Sequence, residues 1–304
     1  MAATEPTTVA FFSIPKPFDR ENSPSQRNAI QSWLVSTPGS SVYLFGRDRG
    51  VAEFCQDNAI VHVPSISVSD YGTPLVSDAF TWMRHNTSVT HLCYANADVI
   101  FLDDLSQIIA RVIRPISFLL AGQRWDVDSP GEVDFSDDAW DRRLWENVEA
   151  GAGRLHPPGG LDYFVFPRHV DWGMPDLVVG RPGWDNWLLF RARQLRLPLI
   201  DSTKEIRVLH QDHSYSHVPA ARGAKWEGPE ADFNLRSIAD QRPSGLFGLW
   251  AATHQMTPGG PRRPKSLVYL LRQAYVFAFL RPPLAGPAGV ILRALRRIGL
   301  RSER

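Results

Sequence analysis

Residues His91 to Asp104, HLCYANADVIFLDD, constrain the fold more than any other stretch of this chain. Leu92, Cys93 and Tyr94 read as a short buried strand. Asn96-Ala97-Asp98 interrupts it, and Val99 to Leu102 resume the apolar run. A bare carboxylate among apolar neighbours is expensive unless it is paired, hydrogen-bonded or bound to a metal. In open α/β sheets, ligands gather at the carboxyl ends of strands. Asp98 therefore reads as a metal or phosphate-side residue, with a simple turn as the alternative. Asp103 and Asp104 read more plainly as the cap of the helix that follows.

Strand and helix signals alternate around this segment. Val9 to Ser13, Val42 to Phe45 and Ile60 to Val63 are apolar runs of strand length. Between the first two, Ser23-Pro24-Ser25-Gln26 predicts a helix start, with Ser23 as cap and Gln26 completing a capping box. Val51, Phe54 and Cys55 mark a short helix, and Thr73-Pro74 opens another that carries Asp78. Asp48 lies just beyond the second strand. Such alternation predicts an α/β fold with a mostly parallel, Rossmann-type central sheet flanked by helices. Later runs extend the pattern: Ser117 to Gly122 leading into Gln123, Arg124, Trp125 and Asp126, Leu161 to Phe166, Pro198 to Ile200, and Ile206 to Leu209. Residues 127 to 160 read as a loop with one short helix near Ala139 to Val148. The chain divides into a main domain over 1–240, a linker over 241–264 and a basic amphipathic helical tail over 265–304.

Composition excludes several classes. The chain has 304 residues and a formal net charge of +1, so no general nucleic-acid-binding surface is indicated. Two cysteines make no disulfide framework and suit a reducing compartment. No signal peptide or membrane-spanning run is predicted. A cytoplasmic protein is expected. The tail, with Arg272, Arg281, Arg293, Arg296, Arg297 and Arg301 among apolar positions, suits a membrane surface or packing on its own domain. No G-x-G-x-x-G, Walker A or G-x-S-x-G sequence occurs.

Three features carry chemistry. A carboxylate at Asp98 can hold Mg²⁺ or Mn²⁺ while the ion also binds substrate phosphates. Asp185, in GRPGWDNWL, sits at a helix start between bulky aromatics, where burial would raise its pKa and improve it as a proton acceptor. HQDHSYSH at 210 to 217 offers imidazoles without the spacing of a structural zinc site. Trp184 beside Asp185 offers a flat apolar face for a sugar ring.

The order of these motifs resembles GT-A fold glycosyltransferases of the nucleotide-diphospho-sugar transferase superfamily. Asn96-Ala97-Asp98 stands where that family carries its Asp-any-Asp metal motif, with Asn replacing the first Asp. Gly159-Gly160-Leu161-Asp162 resembles the glycine-containing loop before the acceptor-side strand, and Trp184-Asp185-Asn186 the later acidic motif. The resemblance covers roughly residues 9 to 217. It implies transfer of a sugar from a nucleotide-diphosphate donor to a hydroxyl acceptor, whether glycan, lipid-linked or small molecule. It places Lys16, Arg27, Asp48, Asp78, Asn96 and Asp98 on the donor side. Asp162 and Trp184 fall on the acceptor side, and Asp185 positions the acceptor hydroxyl or deprotonates it as base. Asp98 with His210, or in its place His217, would hold Mn²⁺ or Mg²⁺. The alternatives are a sugar nucleotidyltransferase, which the glycine-free SIPKPFDRENSPSQR loop disfavours, and a non-catalytic nucleotide-sugar or glycan-binding protein of the same fold.

Overall fold

The computed structural model describes residues 7–112, 117–212, 227–241 and 246–281. The apolar runs become strands β1 (Val9–Ser13), β2 (Ser41–Phe45), β3 (Val61–Val63), β4 (His91–Ala95), β6 (Leu119–Ala121), β9 (Tyr163–Pro167), β10 (Leu199–Asp201) and β12 (His254–Gln255). Among the described residues these form one sheet in the order β12-β10-β6-β9-β4-β1-β2-β3. All neighbours pair in parallel except β9, which runs antiparallel to β4 and β6. β1 and β9 are buried at every position, as a parallel sheet covered on both faces requires.

Alternate residues of each strand feed two apolar layers. Phe12, Tyr94, Phe164 and Phe166 pack with Phe80 and Met83 of α3 (Val76–Asn86) and with Trp187 and Leu188 of α6 (Trp184–Gln194). Phe11, Cys93, Tyr163 and Val165 pack with Ile30 and Trp33 of α1 (Ser23–Ser36) and with Phe54 of α2 (Val51–Asp57). These helices cover opposite faces, which is the α/β arrangement expected from the sequence.

A second, four-stranded sheet has the order β5-β11-β7-β8, built from β5 (Val99–Phe101), β11 (Val208–Asp212), β7 (Trp125–Asp128) and β8 (Gly153–Leu155). The chain passes from the first sheet to the second three times. It crosses from β4 to β5 through Asn96-Ala97-Asp98, from β6 to β7 through Gly122-Gln123-Arg124, and from β10 to β11 through residues 202–207. Each crossing leaves the carboxyl end of a strand in the parallel set. The second is narrow, because a Cβ on Gly122 would lie 2.3 Å from the Tyr163 hydroxyl oxygen.

Local details depart from the sequence reading. Asn22, not Ser23, precedes α1, and no side chain caps it. Gln26 turns away from the helix end and clamps the Lys16 main chain, accepting from its N–H at 2.7 Å and donating to its carbonyl at 3.0 Å. Ser23 accepts from Arg27 instead. α3 starts at Val76, because Pro74 and Leu75 pair in extended bridges with Val68 and Val178. Asp104 does cap α4 (Leu105–Ala110), accepting from the N–H groups of Ser106 and Gln107. Asp103 instead pairs with Arg207 at 2.7 Å. Helix α5 (Trp140–Asn147) lies where the middle segment predicted one.

Part of the expected linker belongs to the main sheet. β12 pairs with β10, and Thr253 donates its main-chain N–H to the Leu199 carbonyl while its hydroxyl accepts from the Leu199 N–H. Helices α7 (Pro229–Gln241) and α8 (Leu267–Phe279) follow β11. α8 buries Val276 and Ala278 against the domain and exposes Leu267, Leu270 and Phe277. Among the described residues no helix is long and apolar enough to cross a membrane. Residues 282–304 of the tail lie outside the described residues.

Trp33 pins α1 to the first crossing. It is fully buried, stacks on Phe11 at 5.4 Å and donates its indole N–H to the Val99 carbonyl at 2.8 Å. Trp33→Phe keeps an aromatic ring but removes the indole N–H donor to that carbonyl, so a loss of about 1–3 kcal/mol is expected from the hydrogen bond. Trp33→Ala also opens a cavity and should cost about 3–5 kcal/mol. Urea unfolding of both variants checks the ranking.

Candidate active site

The first two crossings, the entry of β9 and the strands β7 and β11 deliver polar and charged side chains to one place. Because β9 runs antiparallel, its entry rather than its exit lies beside the carboxyl ends of β4 and β6. Ala95 pairs with Tyr163, and the next step of the ladder joins the Asn96 N–H to the Asp162 carbonyl at 2.9 Å. The side chains continue the link: Asn96 donates its amide to Asp162 Oδ1 at 2.7 Å and accepts from the Tyr94 hydroxyl at 3.3 Å.

Arg124, delivered by the second crossing, holds the centre. It pairs with Asp162 Oδ2 and, at 2.9 Å, with Asp126 Oδ1. The pairs are shielded, with side-chain exposures of 12% for Arg124 and 6% for Asp162. Burial alone would lower the Arg124 pKa, but the charges and hydrogen bonds of Asp162 and Asp126 outweigh it and raise it above its ordinary value. Burial likewise pushes Asp126 up. Hydrogen bonds from His156, at 2.7 Å, and from Arg124 outweigh that and hold it below the usual carboxylate range. His156 fits because residue 160 is glycine: a Cβ there would lie 2.5 Å from His156 Nε2.

His210 arrives on β11. Its Nε2 lies 3.9 Å from Asp98 Oδ2, and its Nδ1 lies 3.6 Å from Asp126 Oδ1. Burial lowers its pKa against the opposing pull of Asp98, which favours the neutral, ligating imidazole. Gln211 fixes the turn, donating its side-chain amide to the carbonyls of Asp98 at 3.2 Å and Ser25 at 2.8 Å. Among the described residues no group of three or more His, Cys, Asp or Glu side chains is disposed to hold a metal ion. Asp98 and His210 do fit two ligands of an ion completed by phosphate oxygens and water, with Asp126 behind the imidazole.

Asp185 starts α6, after Gly183 in a left-handed conformation with φ of 100°. Burial raises its pKa to about 6, and backbone N–H groups at the helix start oppose the rise while the Asp162 charge adds to it. Asn186 donates to the carbonyls of Gly159 and Phe247, tying α6 to the glycine loop before β9.

Beyond the carboxyl ends of β2 and β3 opens a cleft of about 960 Å³, lined by Asp48, Ser65, Thr73, Asp78 and Trp82 among others. Burial raises the Asp48 pKa, and Asp78 accepts from the Ser67 N–H at 2.6 Å. Pro74 in its wall accepts from the Val179 N–H, so the strap leading to Asp185 forms part of the cleft's support.

Other expected site residues lie elsewhere or serve differently. Lys16 is exposed on the loop after β1. Arg27 is exposed, with its guanidinium 5.0 Å from the Phe54 ring. Asp162, expected on the acceptor side, is buried, and Asn96 and Arg124 engage its two oxygens. Trp184 is no open sugar platform, since it packs edge-on against Tyr94 at 4.9 Å and Phe164 at 5.4 Å. His217 lies outside the described residues. Arg124, Asp126 and His156 were not singled out from the sequence. Arg124 and Asp126 follow the apolar run SFLLAG as Asp98 follows HLCYA, so the same strand-end signal was available.

No family model matches the chain, and no curated protein matches it. Among solved structures it is similar to glucosyl-3-phosphoglycerate synthase from Mycobacterium tuberculosis in complex with Mg²⁺ and uridine-diphosphate, at 12% identity over 86% of this chain and 88% of that one, with a TM-score of 0.43. It is similar to the glycosyltransferase GlyE of Streptococcus pneumoniae TIGR4, at 13% identity over 55% of this chain and a TM-score of 0.31. The match spans 35% of the GlyE chain. A protein described as a nucleotide-diphospho-sugar transferase from Desulfovibrio desulfuricans G20 matches at 9% identity over 79% of this chain and 99% of that one, with a TM-score of 0.37. Likenesses this distant carry no information on substrate.

Removing Arg124 strands two buried carboxylates. Arg124→Gln should cost about 3–5 kcal/mol, read as a lower urea midpoint. Arg124→Lys should recover only part of the loss, because one ammonium cannot reproduce a planar fork between two carboxylates.

Proposed function

We propose that this protein is a glycosyltransferase that moves a sugar from a nucleotide-diphosphate donor to a hydroxyl acceptor. The observation that carries the reading is the meeting of Asp98, His210 and Asp185 around one buried ion-pair network at the strand ends. Two acidic functions stand there in different electrostatic settings, which suits separate duties toward phosphate and hydroxyl.

The donor's nucleotide occupies the cleft beyond β2 and β3, with Asp48 and Asp78 available to ribose or base hydroxyl and amine groups. Its diphosphate reaches toward Asp98 and His210. A divalent cation, Mn²⁺ or Mg²⁺, held by that pair would supply Lewis-acid stabilisation of the leaving diphosphate. Arg124 fixes Asp126 and Asp162, with the Asp126 carboxylate 3.6 Å from the His210 ring, so the charged frame keeps its shape without a substrate. Asp185 accepts the acceptor hydroxyl's proton as the new C–O bond forms and the sugar–phosphate bond breaks. With a pKa of about 6, its carboxylate is ionised near neutrality yet basic enough to take that proton.

The pH dependence follows from the sign of the shift. The folded pKa of Asp185 lies above its ordinary value of 3.8, so the carboxylate destabilises the fold when ionised. That penalty is fully present above about pH 6 and is relieved as pH falls toward 3.8. Asp185→Asn is therefore expected to raise the melting temperature at pH 7 while lowering kcat about 10²–10⁴-fold. In the native protein, transfer should fall as pH drops through about 6. Donor binding in Asp185→Asn should persist, which a thermal shift with nucleotide diphosphate reads directly. Unchanged kcat in that variant removes Asp185 from the base role.

A panel of nucleotide diphosphates and nucleotide sugars, with and without Mn²⁺, tests the donor assignment. One nucleotide should raise the melting temperature of the wild type in a metal-dependent way. Asp98→Ala should lose that rise, and no response to any nucleotide would sink the transferase reading.

A further inference from the structure

A second cavity, of about 590 Å³, lies at the other end of α6. Asp185 and Arg193 are eight residues apart on that helix, roughly 12 Å along its axis. The cavity adjoins Thr253, whose main chain bonds Leu199 at the entry of β10, whereas the candidate active site lies beyond strand exits. Its lining includes Arg193, Arg263, Lys265, Tyr269, Leu270 and Gln273. Among the described residues that line it there are three cations and no carboxylate. The imbalance extends along the sequence, since no Asp or Glu occurs between Asp240 and Glu303.

We propose that this cavity binds a phosphate group carried on a partly apolar molecule. The polar frame is already set. Arg193 donates to Gln273 Oε1 at 2.9 Å, Gln273 donates to the Ala252 carbonyl at 2.9 Å, and the Tyr269 hydroxyl donates to the Thr253 carbonyl at 2.9 Å. These bonds hold Arg193 in the wall, and its Nε is buried without a hydrogen-bond partner. Arg263 and Lys265 are exposed at the rim. Converging cations with no internal counter-charge repel one another, and a dianionic phosphate relieves that repulsion through charge-assisted hydrogen bonds. Burial, with the Arg263 charge adding to it, lowers the Arg193 pKa. His254, donated to by Arg263 at 3.4 Å, is likewise held below its ordinary value by burial and by both arginines. The apolar half of the ligand is met by Leu270, 55% exposed, with Leu267, 69% exposed, one turn before it on α8. A phospholipid headgroup and a soluble phosphorylated metabolite share this chemistry.

The test uses the full chain with two probes. Isothermal titration with inorganic phosphate is run at low salt on the wild type, on Arg263→Gln/Lys265→Gln, whose altered side chains are exposed and leave the fold intact, and on Arg193→Gln. Phosphate affinity should fall about ten-fold or more in both variants, and Arg263→Lys should retain most of it. The donor site keeps all its side chains in these variants, so any phosphate it binds is common to every titration. The second probe is co-sedimentation with vesicles of phosphatidylcholine alone or with added phosphatidylglycerol. Sedimentation that needs phosphatidylglycerol and disappears in Arg263→Gln/Lys265→Gln assigns the group to a lipid headgroup. Variant-sensitive phosphate binding without sedimentation assigns it to a soluble ligand. Equal behaviour of wild type and the exposed double variant in both arms overturns the proposal. The nucleotide response of Asp98→Ala is independent of all these outcomes, so this proposal and the transferase reading fail separately.

Discussion

The Arg124 ion pairs are the interaction on which the rest of the site depends. Arg124 comes from the crossing between β6 and β7, Asp126 from the second sheet and Asp162 from the entry of β9 in the first. One guanidinium therefore closes the seam between two sheets. A buried pair of this kind adds little net stability, because desolvation offsets most of the Coulomb attraction. Its effect is geometric. With Asp162 fixed, Asn96 is fixed through its hydrogen bond to it, and the Asp126 carboxylate stands 3.6 Å from the His210 ring, whose other nitrogen faces Asp98 at 3.9 Å.

The antiparallel strand β9 gives this seam its chemistry. A wholly parallel sheet would send the segment before that strand to the opposite edge, away from the exits of β4 and β6. Reversing one strand brings the glycine loop and Asp162 to the exits instead. The requirement for glycine at 160 follows, since His156 fills the space a Cβ would take. The same edge leads to α6, whose first turn presents Asp185 beside Asp162. Proximity of these two carboxylates contributes to the raised pKa of Asp185, so the network that builds the site also tunes its proposed base.

Helix α6 links two electrostatically opposite regions. Its start lies with Asp185 and Asp162, and its end carries Arg193 into a cavity of cations. The formal charge of the whole chain is only +1, so this separation is invisible in the net charge. Acidic residues concentrate before Asp240, and the following segment folds back so that β12 and α8 bring its arginines against the end of α6.

Apolar runs and their punctuation were legible in the sequence because strand formation there is driven by local burial pattern. VAFFS, HLCYA and LDYFVF read as covered strands, and Asp98 stood out as a charge beside such a run and Asp185 as one between aromatics at a helix start. Helix α5 and the Asp104 cap were readable for the same local reason. Gln26 was not, because its partner is the main chain of Lys16, ten residues away, rather than its own helix end. Asp162 and Trp184 read from the sequence as acceptor-side residues, but their contacts depend on neighbours that only folding supplies: Arg124 for one, Tyr94 and Phe164 for the other. The sequence by itself determined the α/β layering and which carboxylates meet strand or helix ends. Tertiary structure alone decided which charges pair, because ion pairs between residues 38 positions apart, as Arg124 and Asp162 are, depend on strand order and direction, which no local pattern encodes.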